Sequence, residues 1–254
     1  MDSVDTRVIR ERDYQNGRVV EETRKTQGKY YAAINKGSYF EKALARLSRS
    51  ADILEYGCGH LPILFTVADI CRSATAIDIS DMAIDSSARQ ADDLGLQNVR
   101  FQTMNAERMT FPDASFDLVF GRGIIHHLDT ERSFSEISRV LRPGGVALFW
   151  EPLGHNLALN FYRRLTPGAR TPDEHPLVRG DFKIAQRYFS QLGLSFHGLT
   201  SVLSVPWRDT GFGDTVLSMT ETLDRGLFRV PGVKWQAWHC LMEMKKAGND
   251  TRLR

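Results

Sequence analysis

The stretch Ile53-Leu54-Glu55-Tyr56-Gly57-Cys58-Gly59 constrains this chain more than any other. Apolar residues run into an acid and then into two glycines one residue apart. This is the pattern of a buried parallel strand that turns sharply beneath a nucleotide-like ligand. Asp78 follows about twenty residues later, closing a second apolar run, Ala74-Thr75-Ala76-Ile77. A carboxylate there can accept hydrogen bonds from both hydroxyls of a ribose. The two features place an adenosine-containing cofactor at the carboxyl end of a doubly wound α/β sheet.

The rest of the first 150 residues keeps that rhythm. Strands are predicted at Asp52–Tyr56, Ala74–Ile79, Val99–Met104, Phe116–Gly121 and Val146–Glu151. Helices are predicted between them. One runs from Pro62 to Cys71 with Pro62 in the first turn, one from a Ser80 cap to a stop at Gly95, and one from a Thr130 cap through Leu141 to Arg142-Pro143-Gly144-Gly145. Phe40, Leu44 and Leu47 share one face of an earlier helix. Strict alternation implies parallel strands with right-handed crossovers. The tail reads differently: a helix from Asp181 to Leu192, then strands over Leu194–Val205 and Trp235–Met244, the expected antiparallel hairpin at the sheet edge. Segments 152–180 and 206–233, rich in Pro, Gly, His and Arg, read as cap insertions. Residues 1–39 read as an N-terminal helical segment or lid, and 40–254 as the main domain.

Composition narrows the class. The chain has 254 residues, 42% hydrophobic and 25% charged, enough for one large α/β core. A net charge of +2 is too weak to argue for nucleic acid or an anionic membrane. No apolar run approaches a membrane span and no signal-peptide pattern is seen, so the expected location is the cytoplasm. The three cysteines, Cys58, Cys71 and Cys240, form neither a disulfide framework nor a zinc-ligand spacing.

Glu55 sharpens the cofactor reading. An acid beside the glycine turn repels a pyrophosphate and suits an ammonium, directly or through water, which favours an amino-acid-bearing adenosine over a dinucleotide. With Glu55-Tyr56-Gly57-Cys58-Gly59, Asp78-Ile79-Ser80, Asn105-Ala106-Glu107, Phe111-Pro112-Asp113-Ala114-Ser115-Phe116-Asp117-Leu118-Val119, His126-His127-Leu128 and Leu141-Arg142-Pro143-Gly144-Gly145 in order, the chain resembles a class I S-adenosylmethionine-dependent methyltransferase of the small-molecule, methyltransferase type 11-like kind. The resemblance covers about residues 40–150 and departs at Leu61, where the family commonly has a third glycine. It implies a Rossmann-like, mostly parallel sheet with an antiparallel last strand and helices on both faces. It also implies S-adenosyl-L-methionine as cofactor, with Glu55, Gly57 and Gly59 at the methionine end and Asp78 on the ribose. Ile79, Asn105 and Ala106 would lie at the adenine, and Gly121 and Arg122 beside the sulfonium.

The acceptor side is less defined. His126 after the fourth strand and Glu151 at the end of the fifth face the expected crevice, as does His175 in the loop Arg163–Pro176. These three are the candidate catalytic residues, with His155 and Glu174 as candidate substrate contacts and no metal expected. The expected function is methyl transfer by in-line displacement to a small-molecule acceptor, with biosynthetic secondary metabolism as one setting. Nucleic-acid and membrane partners are not expected, and a homodimer is left open. Two alternatives stand beside it. One is a non-catalytic S-adenosylmethionine-binding partner subunit. The other is an NAD-dependent oxidoreductase, disfavoured by Glu55, the missing third glycine and the lack of a Tyr-x-x-x-Lys pair.

Overall fold

The computed structural model describes residues 3–17, 39–165, 174–207 and 209–249. The charged run Val19–Lys25, Tyr30, Tyr31 and the cap-loop stretch Thr166–Asp173 lie outside the described residues. Seven strands form one sheet: β1 (Asp52–Tyr56), β2 (Ser73–Asp78), β3 (Val99–Thr103), β4 (Phe116–Arg122), β5 (Leu141–Pro152), β6 (Gln191–His197) and β7 (His239–Lys245). Their spatial order is β3-β2-β1-β4-β5-β7-β6. β1 pairs in parallel with both β2 and β4, so the strand order reverses across it and a crevice opens at its carboxyl end. β7 runs antiparallel to both β5 and β6.

The helices are α1 (Ser3–Gly17), α2 (Tyr39–Ser48), α3 (Asp81–Asp93), α4 (Thr130–Val140), α5 (Leu157–Leu165), α6 (Arg179–Tyr188) and α7 (Gly213–Leu227). The strand residues alternate between two cores. Ile53, Ala76, Leu118, Phe120 and Leu148 pack with Phe40 and Leu44 of α2 on one face. Leu54, Tyr56, Ile77, Val119 and Phe149 pack with Phe134 and Ile137 of α4 on the other. Tyr56 and Phe149, both fully buried, meet edge to face at 5.9 Å. Each such side chain contributes about 1.5–3 kcal/mol through removal from water.

Several elements differ from the sequence reading. The segment after the glycine turn is a single 3₁₀ turn, Ile63–Thr66, rather than a helix to Cys71. The chain must return at once to the sheet, where Arg72 N–H donates to Ala51 O, and that leaves no length for a regular helix. Asp129, not Thr130, caps α4 by accepting from Arg132 N–H. Asp181 sits inside the first turn of α6 and accepts from Val178 N–H, and α6 ends at Tyr188, so Gln191 already belongs to β6. The tail strands are not a simple edge hairpin. β7 inserts between β5 and β6, and the 206–233 insertion carries the helix α7.

Candidate active site

Glu55, Gly57, Gly59 and Asp78 meet at the carboxyl ends of β1 and β2. Gly57 and Cys58 donate to Ile77 O, and Gly59 N–H donates to Asp78 Oδ2 at 2.8 Å. Asp78 Oδ1 accepts from Ser80 N–H at 2.9 Å, so one carboxylate ties the glycine turn to the start of α3. Burial pushes the Asp78 carboxyl above the usual carboxylate range, against these two bonds. Gly57 sits at φ +78°, and a Cβ there would lie 2.5 Å from Ile124 Cγ1. Gly59 is at φ +57° with no described residue within 4 Å of a built Cβ, so its face opens to the crevice.

Glu55 is buried, and each of its oxygens accepts a backbone N–H, from Ile63 and Leu64, both at 2.8 Å. Its carboxylate therefore shapes the turn beside the crevice. Burial raises its pKa to about 7. Ile79 is half-buried beside the Asp78 carboxylate. Asn105 turns its Oδ1 onto Glu107 N–H at 2.9 Å, and Ala106 O accepts from the buried Tyr56 hydroxyl at 2.8 Å. Gly121 leaves room under the crevice: a Cβ there would meet Tyr56 O at 2.6 Å and Phe149 Cε1 at 2.8 Å. Arg122 turns toward α2, 3.5 Å from Glu41.

The acceptor-side candidates divide into two groups. His126 and His127 lie in a 3₁₀ turn (Ile125–His127) after β4, each 8% exposed, with ring centroids 4.2 Å apart. Glu151, fully buried, accepts from Ile124 N–H and Ile125 N–H at 2.9 and 3.0 Å and bonds His126 Nδ1 at 2.8 Å. It caps the turn and fixes the imidazole. Glu174 Oε1 stands 4.0 Å from His126 Nε2. The cap segment holds it there: Leu153 bridges Leu177, and His175 N–H donates to His126 O at 2.8 Å. The His175 side chain itself is exposed. His155 stands apart, its Nε2 accepting from Arg179 N–H at 3.1 Å and its ring edge-on to Trp235. Burial beside Arg179 holds its pKa below the usual histidine range.

Residues that sequence reasoning left unassigned complete the rim. Glu107, buried, forms an ion pair with Arg7 of α1 and accepts from Asp129 N–H at 2.7 Å. Arg7 also reaches His127 O, and Glu11 Oε1 lies 3.5 Å from His127 Nδ1. At the far end of α1, Asn16 bonds Ser80 and Asp81. α1 thus spans the rim from the β2 loop to the His126–His127 turn. The motif Asn105-Ala106-Glu107 flagged the acid, but nothing local flagged its partner 100 residues away.

Residues 54–149 match the family described as "Methyltransferase domain". That span runs from β1 to β5 and contains both Asp78 and the His126–His127 turn. Residues 54–149 are thus a methyltransferase domain, of the class I S-adenosylmethionine-dependent kind. The chain is 32% identical over 90 residues to "Uncharacterized methyltransferase YcgJ" of Bacillus subtilis (strain 168), covering 35% of either chain. It is 32% identical over 105 residues to "Aklanonic acid methyltransferase DauC" of Streptomyces sp. (strain C5), covering 40% of this chain and 48% of that one. The chain thus spans half or less of these curated relatives. Geranyl diphosphate C-methyltransferase from Streptomyces coelicolor A3(2), solved with Mg2+, geranyl diphosphate and S-adenosyl-L-homocysteine, shares the fold. Its TM-score is 0.60 at 13% identity, covering 84% of this chain and 79% of that one. S-adenosyl-L-methionine is the cofactor of the class I methyltransferases. The open glycine turn, the half-buried acid that ends β2 and the small residue at Gly121 fit its sugar and amino-acid ends.

Proposed function

We propose that this protein transfers the methyl group of S-adenosyl-L-methionine to a small-molecule acceptor held between the His126–His127 turn and the cap. When bound, the cofactor supplies a sulfonium whose methyl carbon is open to in-line attack. Asp78 would hold the ribose hydroxyls, with Ile79, Asn105 and Ala106 around the adenine. Gly57, Gly59, Gly121 and the turn shaped by Glu55 would receive the methionine end. Ile124 joins the two halves of the site, since it packs on both Gly57 and Gly121 and begins the turn that carries His126. His126 is the group that meets the acceptor, and Glu151 is its positioning residue. Alignment in a closed crevice supplies most of what such a displacement needs, roughly 7–11 kcal/mol in favourable cases.

The observation that carries this reading is the pairing of Gly59 N–H with the Asp78 carboxylate directly beneath an open turn, inside the matched domain. Aklanonic acid, sterols and geranyl diphosphate stand in the names of related or similarly folded proteins, and a small apolar or polyketide-like acceptor fits that company. No helix among the described residues is long and apolar enough to cross a membrane. The test is incubation with S-adenosylmethionine and a panel of hydroxyl, amine, thiol and activated-carbon acceptors, followed by mass spectrometry for S-adenosylhomocysteine and methylated product. Product from at least one acceptor is expected. Tight cofactor binding without product from any of them would favour a non-catalytic cofactor-binding subunit.

A further inference from the structure

We infer that His126, His127 and Glu174 form a binding site for a divalent first-row transition ion, with Zn2+ as the reference case. One donor atom from each of the three lies within 4.8 Å of the others. Donors each about 2.1 Å from a shared Zn2+ stand roughly 3–4 Å apart, so the cluster would close by up to roughly 1–2 Å. Two histidines and a glutamate are a known catalytic zinc donor set with a coordination position left open.

Three further features support the ion. First, His126 is arranged as metal-bound histidines are. Its Nδ1 faces Glu151 Oε2 at 2.8 Å, and that carboxylate is already an acceptor for backbone N–H groups, so the Nδ1 proton points at Glu151. A carboxylate on one ring nitrogen fixes the tautomer and leaves the lone pair on the other. Second, that lone pair on Nε2 faces another acceptor, Glu174 Oε1, at 4.0 Å. A divalent ion placed between them would take both as ligands. Third, a second acid arrives from elsewhere in the chain, with Glu11 Oε1 of α1 3.5 Å from His127 Nδ1. Both rings are only 8% exposed, so an ion held by them is shielded from water. The site is invisible in local spacing because its donors come from the turn after β4, the cap and α1.

The ion-binding site stands on these residues alone. Its use in the reaction rests on the methyl-transfer reading and narrows the acceptor to a compound with a hydroxyl or enol oxygen. That oxygen would take the open position, where the ion lowers its pKa. Its proton leaves to solvent, the oxygen–methyl bond forms as the methyl–sulfur bond breaks, and the electron pair of that bond stays on sulfur.

The experiment is titration of chelator-stripped full-length protein with zinc chloride by calorimetry. Cobalt(II) absorption is recorded in parallel, and S-adenosylmethionine affinity is measured on the same samples. One equivalent of Zn2+ is expected to bind wild type. Glu174→Gln and His126→Asn should each weaken it at least 10-fold, and Glu151→Gln by about 10–100-fold through the lost orientation of His126. Circular dichroism and unchanged cofactor affinity would show that Glu174→Gln is folded. Failure of wild type to bind Zn2+ stoichiometrically, or binding indifferent to both Glu174→Gln and His126→Asn, would overturn the site and leave His126 as a metal-free proton acceptor. Zinc binding by a protein that never binds S-adenosylmethionine would uphold the site and sink the methyl-transfer reading.

Discussion

At the scale of single residues, the crevice is shaped as much by missing atoms as by present ones. At Gly57 an alanine would carry a Cβ into the Ile124 side chain and force a left-handed backbone on a residue that resists it. At Gly121 the obstacle is Tyr56 backbone oxygen, 2.6 Å from the built Cβ, and backbone cannot swing aside. Gly121→Ala should therefore cost about 1–3 kcal/mol of stability. Gly180→Ala, in the first turn of α6 with nothing within 4 Å, should cost nothing or add a few tenths. Urea unfolding of the two variants checks this, and equal midpoints would contradict the packing at Gly121. The places of Glu55, Gly57, Gly59 and Asp78 in the fold were legible because each ends an apolar strand run or opens a turn, so its neighbours in space are fixed by its neighbours in sequence. Glu55 shows the limit of that logic. Its type and place were readable, but its engagement with Ile63 and Leu64 N–H depends on a turn the sequence reading took for a longer helix.

At the scale of elements, buried parallel strands announce themselves as short apolar runs, and the first four strands lie within a residue of their expected bounds, while β5 begins early, at Leu141. The tail was harder. Gln191–His197 alternates only weakly between buried and exposed, and the glycines flanking 213–227 disguised α7 as loop. α1 was readable as a charged helix, but its seat was not, since Arg7 and Glu11 find their partners more than 90 residues away. That seat makes α1 a lid by our account. Arg7→Ala should remove the hold on Glu107 and His127 O, speeding cofactor release several-fold in stopped-flow measurements and lowering the unfolding midpoint, because the buried Glu107 loses its counter-ion. An unaltered release rate would reduce α1 to a bystander.

At the scale of the whole molecule, burial of titratable groups sets how stability follows pH. His197 is pushed down to about 4 by burial from an ordinary 6.5, so the fold resists its protonation. Its contribution is full above 6.5 and is lost as pH falls toward 4. His239, fully buried and pushed down likewise, adds in the same direction. Glu55 works the other way. The fold holds its proton up to about 7 against an ordinary 4.5, so its contribution is full below 4.5 and declines as pH rises through that window. His197→Phe should therefore flatten the acid side, recovering about 2 kcal/mol of the stability wild type loses between pH 7 and pH 5. Parallel pH curves for the two proteins in urea would contradict a neutral, half-buried His197.

The most direct test of the central claim is calorimetric titration of the purified protein with S-adenosylmethionine and, separately, with NAD. S-adenosylmethionine should bind at one site per chain. Asp78→Ala should weaken it about 100-fold, as the loss of charge-assisted bonds to two ribose hydroxyls requires, and NAD should give no heat. Binding of NAD with none of S-adenosylmethionine, or an affinity that Asp78→Ala leaves untouched, would contradict the account.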